Sequence, residues 1–125
     1  MNLFEELKLI KFDDSIRTNL IDNYLNFNDR SSRSDYIWWT LFSTILNFTL
    51  NQFDIQSAII ISIILFLPGL GVSIRRLHDI NKTGWNLLWS FTIIGILPLY
   101  YWMLVKPGDK DENFYGKNPL KEFIK

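Results

Sequence analysis

The sequence predicts an all-α integral membrane protein with three transmembrane helices, preceded by an N-terminal amphipathic helical segment. Hydrophobic residues make up 48% of the chain, and charged residues are gathered into blocks that leave long stretches without charge. From Tyr36 to Ile74 the only ionisable side chain besides tyrosine is Asp54, and between Trp85 and Val105 there is none except tyrosine. A bilayer imposes this pattern, because an ionised side chain at its centre costs several kcal/mol. A soluble domain of this length also lacks the polar residues to cover helices that are apolar on every face.

Residues 1–28 are predicted to form an amphipathic helical segment that lies in the membrane interface. Scattered acidic and basic residues interrupt the apolar core that a secretory signal requires, so the segment is not predicted to be one. Apolar side chains recur at helical spacing in two stretches, which are Leu3, Leu7 and Ile10, then Ile16, Leu20 and Tyr24. The alternatives are a soluble helix that packs on its own protein and a loosely ordered tail.

The membrane domain is predicted to cover residues 29–105, with spans at about 36–53, 55–74 and 85–105. A hydrocarbon core of about 30 Å needs roughly 20 residues of helix. The first apolar segment is short and contains the polar Asn47, whereas the second carries no charge and is the clearest span. Tryptophan and tyrosine near the segment ends are typical of the membrane interface.

Lysine and arginine near the span ends set the expected orientation. Basic residues precede the first span and return in residues 75–84, whereas the 51–54 turn has none. The N-terminus and the 75–84 loop are therefore predicted to be cytoplasmic, with the turn outside. Three spans would then place the polar tail, residues 106–125, outside although it carries five lysines. Either the tail is exported despite its lysines or Pro98 splits the third segment into a re-entrant element, and three spans are the favoured prediction.

A compact polar string, Arg75-Arg76-Leu77-His78-Asp79, follows the second segment directly. On a helix Arg75 and Asp79 are one turn apart and can pair, and arginine is a good ligand for lipid phosphates. A second string, Arg30-x-x-Arg33-x-x-Tyr36, begins the first segment and faces lipid headgroups or Asp79. The alternative interpretation is a plain cytoplasmic stop signal. The candidate polar or headgroup-binding cluster comprises Arg30, Arg33, Tyr36, Arg75, Arg76, His78, Asp79 and Trp85.

Few other side chains suggest chemistry. With no cysteine and a single histidine, the chain is not predicted to hold a metal, a thiol nucleophile or a cofactor. No serine stands in a nucleophile-elbow setting, so no catalytic residue is predicted. The formal net charge is zero, which gives no general attraction to nucleic acid. A turn-rich string in the tail forms a further candidate motif of Asn113, Tyr115 and Gly116.

Together these strings resemble a bacterial membrane family catalogued as domain of unknown function 805. The resemblance covers roughly residues 24–119. The matching positions are Arg30, Arg33, Tyr36, Pro68, Arg75 through Asp79, Gly84-Trp85, Pro107-Gly108, Asn113, Tyr115-Gly116 and Pro119. The sequence departs from the family pattern at Asp29, Ile37, Thr83, Asn86 and Phe114, where Phe114 replaces an arginine whose role cannot be carried over. The resemblance implies a bacterial inner (plasma) membrane location and no established activity.

The sequence as a whole predicts a small, non-enzymatic integral membrane protein in contact with the lipid bilayer. Its cytoplasmic-face cluster would anchor the helices and bind anionic lipid headgroups or a protein partner. One alternative is a small transporter or channel subunit, supported by Asn47 and by a helix broken at Pro68. Another is an enzyme that acts on lipid headgroups through His78 and Asp79. A homo-oligomer stays open, because three short spans bury little surface but no motif specifies self-association.

Overall fold

The structure is a computed structural model that describes residues 2–121, so the last four residues of the predicted tail lie outside the described range. Helix α1 is Leu3–Leu9, and α2 is Phe12–Arg17, which continues as a π-helical turn over Thr18–Asp22. The long helices are α3, Arg33–Phe53, and α4, Ile55–Asp79. A 3-10 helix at Gly84–Phe91 precedes α5, Ile93–Tyr100, which continues as a π-helical turn over Tyr101–Val105. Residues 2–121 contain no strand beyond an isolated bridge between Asn113 and Gly116, so the all-α prediction is confirmed.

Helices α3 and α4 form a hairpin joined by a single residue, Asp54. The Asp54 carboxylate accepts hydrogen bonds from the Ser57 hydroxyl at 2.7 Å and from the Gln56 N–H at 3.1 Å, which caps α4. The bond from Ser57 is the main reason that the pKa of Asp54 lies below its ordinary value. At the other end of the hairpin, the Ser32 hydroxyl accepts from the Asp35 N–H at 3.2 Å. This cap makes α3 begin before the predicted first span.

One of the described helices, α4, is long and apolar enough to cross a membrane by length and composition. Helix α3 has 21 residues but begins with charged side chains and carries the polar Asn47. Large apolar side chains on the hairpin are exposed, including Phe48, Ile59, Ile63 and Phe66. Exposed apolar area of this extent is typical of a surface that contacts lipid or protein. The prediction of three transmembrane helices is not confirmed.

The third apolar segment, residues 85–105, differs from the single helix that the sequence predicts. It breaks at Thr92, whose backbone is extended, with φ −117° and ψ 144°. The Thr92 hydroxyl donates to the Trp89 carbonyl and accepts from the Gly95 N–H, both at 2.9 Å, and so it caps α5. Helix α5 continues through Pro98. A break in this segment is therefore present, but it lies at Thr92 and not at Pro98, where the re-entrant alternative places it.

The N-terminal segment packs on α3. The indole N–H of Trp38 donates to the Ile10 carbonyl at 2.7 Å, and the Trp38 ring makes an edge contact with Phe12, with ring centroids 6.0 Å apart. Ile16 and Leu20 pack against the core of the hairpin. Other apolar side chains of the segment are exposed, and they include Phe4, Ile21 and Leu25. Since part of the apolar surface stays uncovered, a position in the membrane interface remains a prediction.

Two small apolar cores lie along the hairpin. The first, between α3 and α4, contains Trp39, Leu65 and Val72. The second, where the end of α4 meets the end of α5, contains Leu77, Ile80 and Met103. The half-buried Tyr36 packs against both cores. The second core therefore holds the end of α5 beside the polar string of α4.

Ser62→Ala is expected to weaken the hairpin only slightly. The Ser62 hydroxyl lies 2.5 Å from Asn47 Oδ1, so it joins α4 to α3. A hydrogen bond between helices in a bilayer contributes about 0.6 kcal/mol on average, and the free energy of unfolding in mixed detergent micelles should fall by about that amount. Ser73→Ala is the matched control, because the Ser73 hydroxyl donates within its own helix, to the Gly69 carbonyl at 2.8 Å. Equal losses in the two variants would contradict an interhelical contribution.

Candidate functional site

Buried polar side chains converge at the end of the hairpin opposite the Asp54 turn. Arg75 and Arg76, in the last turns of α4, are both 0% exposed. Within residues 2–121 every buried side-chain nitrogen or oxygen has a hydrogen-bond partner, as burial of polar atoms requires. We call this set the arginine cluster, and its members are Glu6, Ser15, Asn19, Arg30, Ser31, Ser32, Arg33, Ser34, Asp35, Arg75, Arg76, His78 and Asp79.

Asp79 is the carboxylate that two of the arginines share. Arg30 Nη2 lies 2.9 Å from Asp79 Oδ1, and Arg76 Nη1 lies 3.1 Å from Oδ2. Arg30 Nε also donates to Oδ1 at 3.1 Å, so this guanidinium binds through two nitrogens. None of the ion pairs within residues 2–121 joins Asp79 to Arg75, the partner that helical spacing predicts. The structure therefore replaces the expected pair with one neighbour on α4 and one arginine from the loop before α3.

Arg75 extends toward the N-terminal segment instead. Its Nε donates to the Ser31 hydroxyl at 2.9 Å, and its Nη1 donates to the Asn26 carbonyl at 2.5 Å. Its Nη2 donates to the side-chain oxygen of Asn19. The Asn19 amide in turn donates to the Asp35 carboxylate at 2.9 Å. The neutral amide of Asn19 thus joins Arg75 to the buried Asp35. These bonds hold the N-terminal segment, α3 and α4 together.

Asp35, in the first turn of α3, takes a further hydrogen bond from α2. The Ser15 hydroxyl donates to Asp35 Oδ1 at 2.6 Å. Ser15 and Asn19 are four residues apart, so they lie on one face of the helical segment. Ser15, Asn19 and Asp35 were not predicted to belong to the cluster. The available signal was two polar residues at helical spacing beside the apolar pair Ile16 and Leu20.

Arg33 and Arg76 bind carbonyl groups at the end of α5. Arg33 Nη1 donates to the Val105 carbonyl at 2.6 Å. Arg76 Nε donates to the Met103 carbonyl at 3.0 Å, and its Nη2 donates to the carbonyl of Lys106. The last carbonyls of a helix lack partners within the helix, and positive charge there is favourable for the helix dipole. Two other helices therefore provide the cap of α5.

Glu6 brings α1 into the arginine cluster. Arg33 Nε lies 2.7 Å from Glu6 Oε2, and both side chains are buried. Glu6 and the buried Ile10 are four residues apart, so both lie on the face of the segment that turns toward α3. In the sequence Glu6 is one of several acids in an amphipathic stretch, and no local pattern separates it from the exposed Glu5.

Arg30 joins the tail to the end of α4. Besides its bonds to Asp79, it donates to the carbonyls of Asp109 at 2.6 Å, Asp111 at 2.9 Å and Gly116 at 3.0 Å. The Asp109 N–H donates back to the Asp79 carbonyl at 2.8 Å. One side chain thus fixes the course of the tail over several residues.

The other residues of the tail motif contact His78. The Asn113 amide donates to the His78 carbonyl at 2.9 Å. The Tyr115 ring stacks on the His78 ring, with centroids 3.8 Å apart and planes at 2°. His78 Nδ1 lies 3.0 Å from the Asp29 carbonyl, which only accepts, so Nδ1 is the protonated nitrogen. The tail motif and the polar string of α4 therefore share one site, whereas three full spans would place them on opposite membrane faces.

Gly108 allows the tail to pass close to Asp79. A Cβ atom at this position would lie 1.9 Å from Asp79 Oδ2, a distance that no side chain can adopt. Gly108 thus makes a close contact with the central carboxylate. The sequence gives no sign of this contact.

Two of the predicted cluster residues lie apart from the arginines. Trp85 is 79% exposed at the start of the 3-10 helix, so the structure does not bring it into the cluster. Tyr36 packs between the two apolar cores. Phe114, where the family pattern has arginine, is exposed, and its backbone N–H donates to the Asn81 side chain at 3.2 Å. These aromatic rings therefore face outward or pack on apolar groups.

A cleft of about 580 Å³ lies beside Pro107, between α1 and the tail. Lys110 and Lys121 line it. Its two carboxylates, Glu6 and Asp79, are those already paired with arginines. The cleft therefore presents positive charge. Among the described residues no group of three acidic or histidine side chains could hold a metal ion.

A helical hairpin with large exposed apolar side chains is typical of a small helical membrane protein. The chain belongs to the family described as "Protein of unknown function (DUF805)", whose model matches residues 24–117, so the resemblance in the motif strings is confirmed. It is 30% identical over 109 residues to inner membrane protein YhaI of Escherichia coli (strain K12), and the alignment covers 81% of this chain and 92% of YhaI. It is 27% identical over 119 residues to inner membrane protein YhaH of the same strain, and this alignment covers 82% of this chain and 94% of YhaH. No solved structure matches the chain.

Asp79→Asn is expected to lower the free energy of unfolding by about 3–5 kcal/mol, the usual cost of removing one partner of a buried ion pair. Asparagine keeps the size of the side chain but leaves Arg30 and Arg76 without their shared anion. Unfolding of the purified protein in mixed micelles gives the value. Asp13→Asn changes an exposed aspartate of α2 and is the control. If both variants unfold like the parent protein, Asp79 does not have this role.

Gly108→Ala is expected to destabilise the protein, because the added methyl group would displace the Asp79 carboxylate from its arginines. Gly69→Ala is the matched control, since its Cβ would meet the nearest side-chain atom at an ordinary 3.5 Å. Alanine in a helix is also favoured over glycine by about 1 kcal/mol. Thermal unfolding midpoints should therefore fall for the first variant and stay or rise for the second. The opposite order would count against a required close approach.

Proposed function

We propose that the protein is a non-enzymatic membrane protein that binds anionic lipid headgroups on its cytoplasmic face. Its arginine cluster joins the start of α3, the end of α4, the N-terminal segment and the tail into one domain, and this domain provides the binding surface. The structural part of the proposal rests on the burial of Arg75 and Arg76, whose donors bond protein groups. Because these arginines are bonded to protein groups, they hold the domain together and do not bind a headgroup. Other cations, on the surface of the domain, must bind the headgroup.

The distribution of basic residues supports a cytoplasmic position for this domain. Positively charged residues accumulate in short segments on the cytoplasmic side of a membrane. Every lysine and arginine of the chain lies before Ser34 or after Ile74, and none lies near the Asp54 turn. In the proposed arrangement α3 and α4 both cross the bilayer, and the Asp54 turn lies outside.

The cleft beside Pro107 supports headgroup binding. Lys110 and Lys121 provide ammonium groups, and a lysine near a membrane surface contributes about 1 kcal/mol of attraction to anionic lipid. The apolar Leu120 and Pro107 stand in the same walls. The cleft lies just after the end of α5, and it combines positive charge with apolar surface, as binding of a headgroup and the start of its acyl chains requires.

Two other functions have less support from the geometry. An enzyme that acts on lipid headgroups would need His78 and Asp79 to work together. His78 Nδ1 faces the carbonyls of Asn28 and Asp29, and the Asp79 carboxylate is bound by arginines. A transporter would gain support from a helix broken at Pro68, but α4 continues through this proline.

Combining Lys110→Gln with Lys121→Gln is expected to weaken the binding of phosphatidylglycerol. Two lysines at about 1 kcal/mol each correspond to an increase in apparent Kd of roughly 30-fold. Thermal stabilisation of the detergent-purified protein by added phosphatidylglycerol, compared with phosphatidylcholine, measures the affinity.

The control combines Lys8→Gln with Lys11→Gln, which removes the same charge from exposed positions of the N-terminal segment. Similar affinities for the two double variants would exclude the cleft as the headgroup site. Equal stabilisation of the parent protein by both lipids would exclude recognition of anionic headgroups.

A further inference from the structure

The segment that connects α4 to the tail begins and ends at the same place. At its start, a Cβ atom on Gly84 would lie 3.0 Å from the Ile74 side chain, so the 3-10 helix begins against α4. At its end, the Val105 carbonyl is bound by Arg33. The tail then returns to the Asp79 backbone through Asp109. Both ends of the segment therefore lie beside the last turns of α4, and its final residue is bound by the arginine cluster.

The two arms of this segment are similar in length, and each is too short to cross a bilayer. The 3-10 helix has eight residues, which at about 2.0 Å each extend roughly 16 Å. Helix α5 with its π-helical turn, Ile93–Val105, extends about 20 Å at 1.5 Å per residue. A hydrocarbon core is about 30 Å thick. Neither arm is therefore long enough to cross the core, and the two arms are joined at Thr92.

Several backbone groups of the turn find partners within the turn itself, which favours a position in lipid. Non-helical backbone at membrane depth is tolerated only where its polar groups have partners. The Trp89 carbonyl accepts both the N–H and the hydroxyl of Thr92, and the Thr92 oxygen accepts the N–H of Gly95. A Cβ on Gly95 would lie 2.7 Å from the Trp89 carbonyl oxygen, so the two arms meet at a glycine. The Thr92 hydroxyl thus takes the place of water for the Trp89 carbonyl and the Gly95 N–H.

The surface of the two arms is apolar, and it is most exposed at the turn. Ile93 is 90% exposed and Phe91 is 84% exposed. No charged residue occurs between Trp85 and Val105. The aromatic residues Trp85, Tyr100 and Tyr101 are exposed, and those at the outer ends suit the headgroup region.

We propose that residues 84–105 form a re-entrant hairpin that enters the leaflet next to the arginine cluster and returns without crossing, so that its apolar tip contacts the acyl chains of that leaflet. The protein then has two crossing helices, α3 and α4, and its N-terminal segment and tail lie on one side. The inference rests on the membrane position proposed for α3 and α4, and it does not depend on headgroup binding. The lysines of the tail then lie with the other basic residues, as the charge rule requires.

Single cysteines in this cysteine-free chain test the arrangement. The variants are Asn51→Cys at the outer turn, Thr83→Cys before the hairpin, Ile93→Cys at its tip and Glu112→Cys in the tail. An impermeant thiol reagent is applied to intact cells and then after permeabilisation. Asn51→Cys should react in intact cells, Thr83→Cys and Glu112→Cys only after permeabilisation, and Ile93→Cys in neither condition.

Reaction of Glu112→Cys in intact cells, with Thr83→Cys protected, would show that the segment crosses and would overturn the hairpin. Reaction of Ile93→Cys after permeabilisation would place the tip in water and would also overturn it. If Thr83→Cys and Glu112→Cys both react in intact cells and Asn51→Cys does not, the hairpin stands and the proposed cytoplasmic orientation fails.

A depth measurement identifies what covers the tip. A bimane fluorophore on the Ile93→Cys variant, in phosphatidylglycerol–phosphatidylcholine vesicles, should be quenched more strongly by lipids with a nitroxide near the bilayer midplane than near the headgroup. The Thr83→Cys variant should show the opposite order. Absence of quenching at Ile93→Cys by either lipid would mean that protein, such as a second copy of the chain, covers the tip, and the proposed contact with acyl chains would be wrong.

Discussion

The position of the tail and of two helix ends depends on the ion pairs around Asp79. A guanidinium or a carboxylate removed from water loses several kcal/mol of hydration, which is recovered only when the charge is paired and the remaining donors are bonded. Asp79 supplies the anion for both Arg30 and Arg76. The other N–H groups of these arginines then reach the carbonyls of Asp109 and Met103. One carboxylate therefore decides where the loop before α3, the end of α5 and the tail can lie.

Arginine suits this position better than lysine because its guanidinium carries five N–H donors in a fixed plane. Arg30 uses them for one carboxylate and for carbonyl groups along the tail. An ammonium group has three donors and would leave some of these carbonyls unpaired near a membrane, where water is scarce. The described lysines are exposed or half-buried. The two kinds of cation thus divide between the interior of this end of the molecule and its surface.

Local patterns predict the long helices and the polar strings, whereas contacts between distant residues decide how they assemble. Charge blocks and apolar length are local, so α4 and its arginines can be located from the sequence. The pairing of Arg30 with Asp79 spans 49 residues, and the string before α3 offers Asp79 only as one of two alternatives, beside lipid headgroups. Apolar composition predicts that residues 85–105 enter lipid, but it does not predict whether they cross the bilayer or return to the same side. The break at Thr92 depends on a hydroxyl that can equally bond within a continuous helix.

Three full spans and the arginine cluster exclude each other. With three spans, a hydrocarbon core of about 30 Å would separate the tail from the end of α4. In the structure Arg30 Nη1 lies 3.0 Å from the Gly116 carbonyl, and the Asn113 amide lies 2.9 Å from the carbonyl of His78. The lysines of the tail favour the same side, because short basic segments stay in the cytoplasm. Three spans would place the lysines of the tail outside, against the charge rule. This conflict arises only when every apolar segment is assumed to cross the bilayer. A segment that turns at Thr92 removes it, since the charge rule and the hydrogen bonds then describe one arrangement.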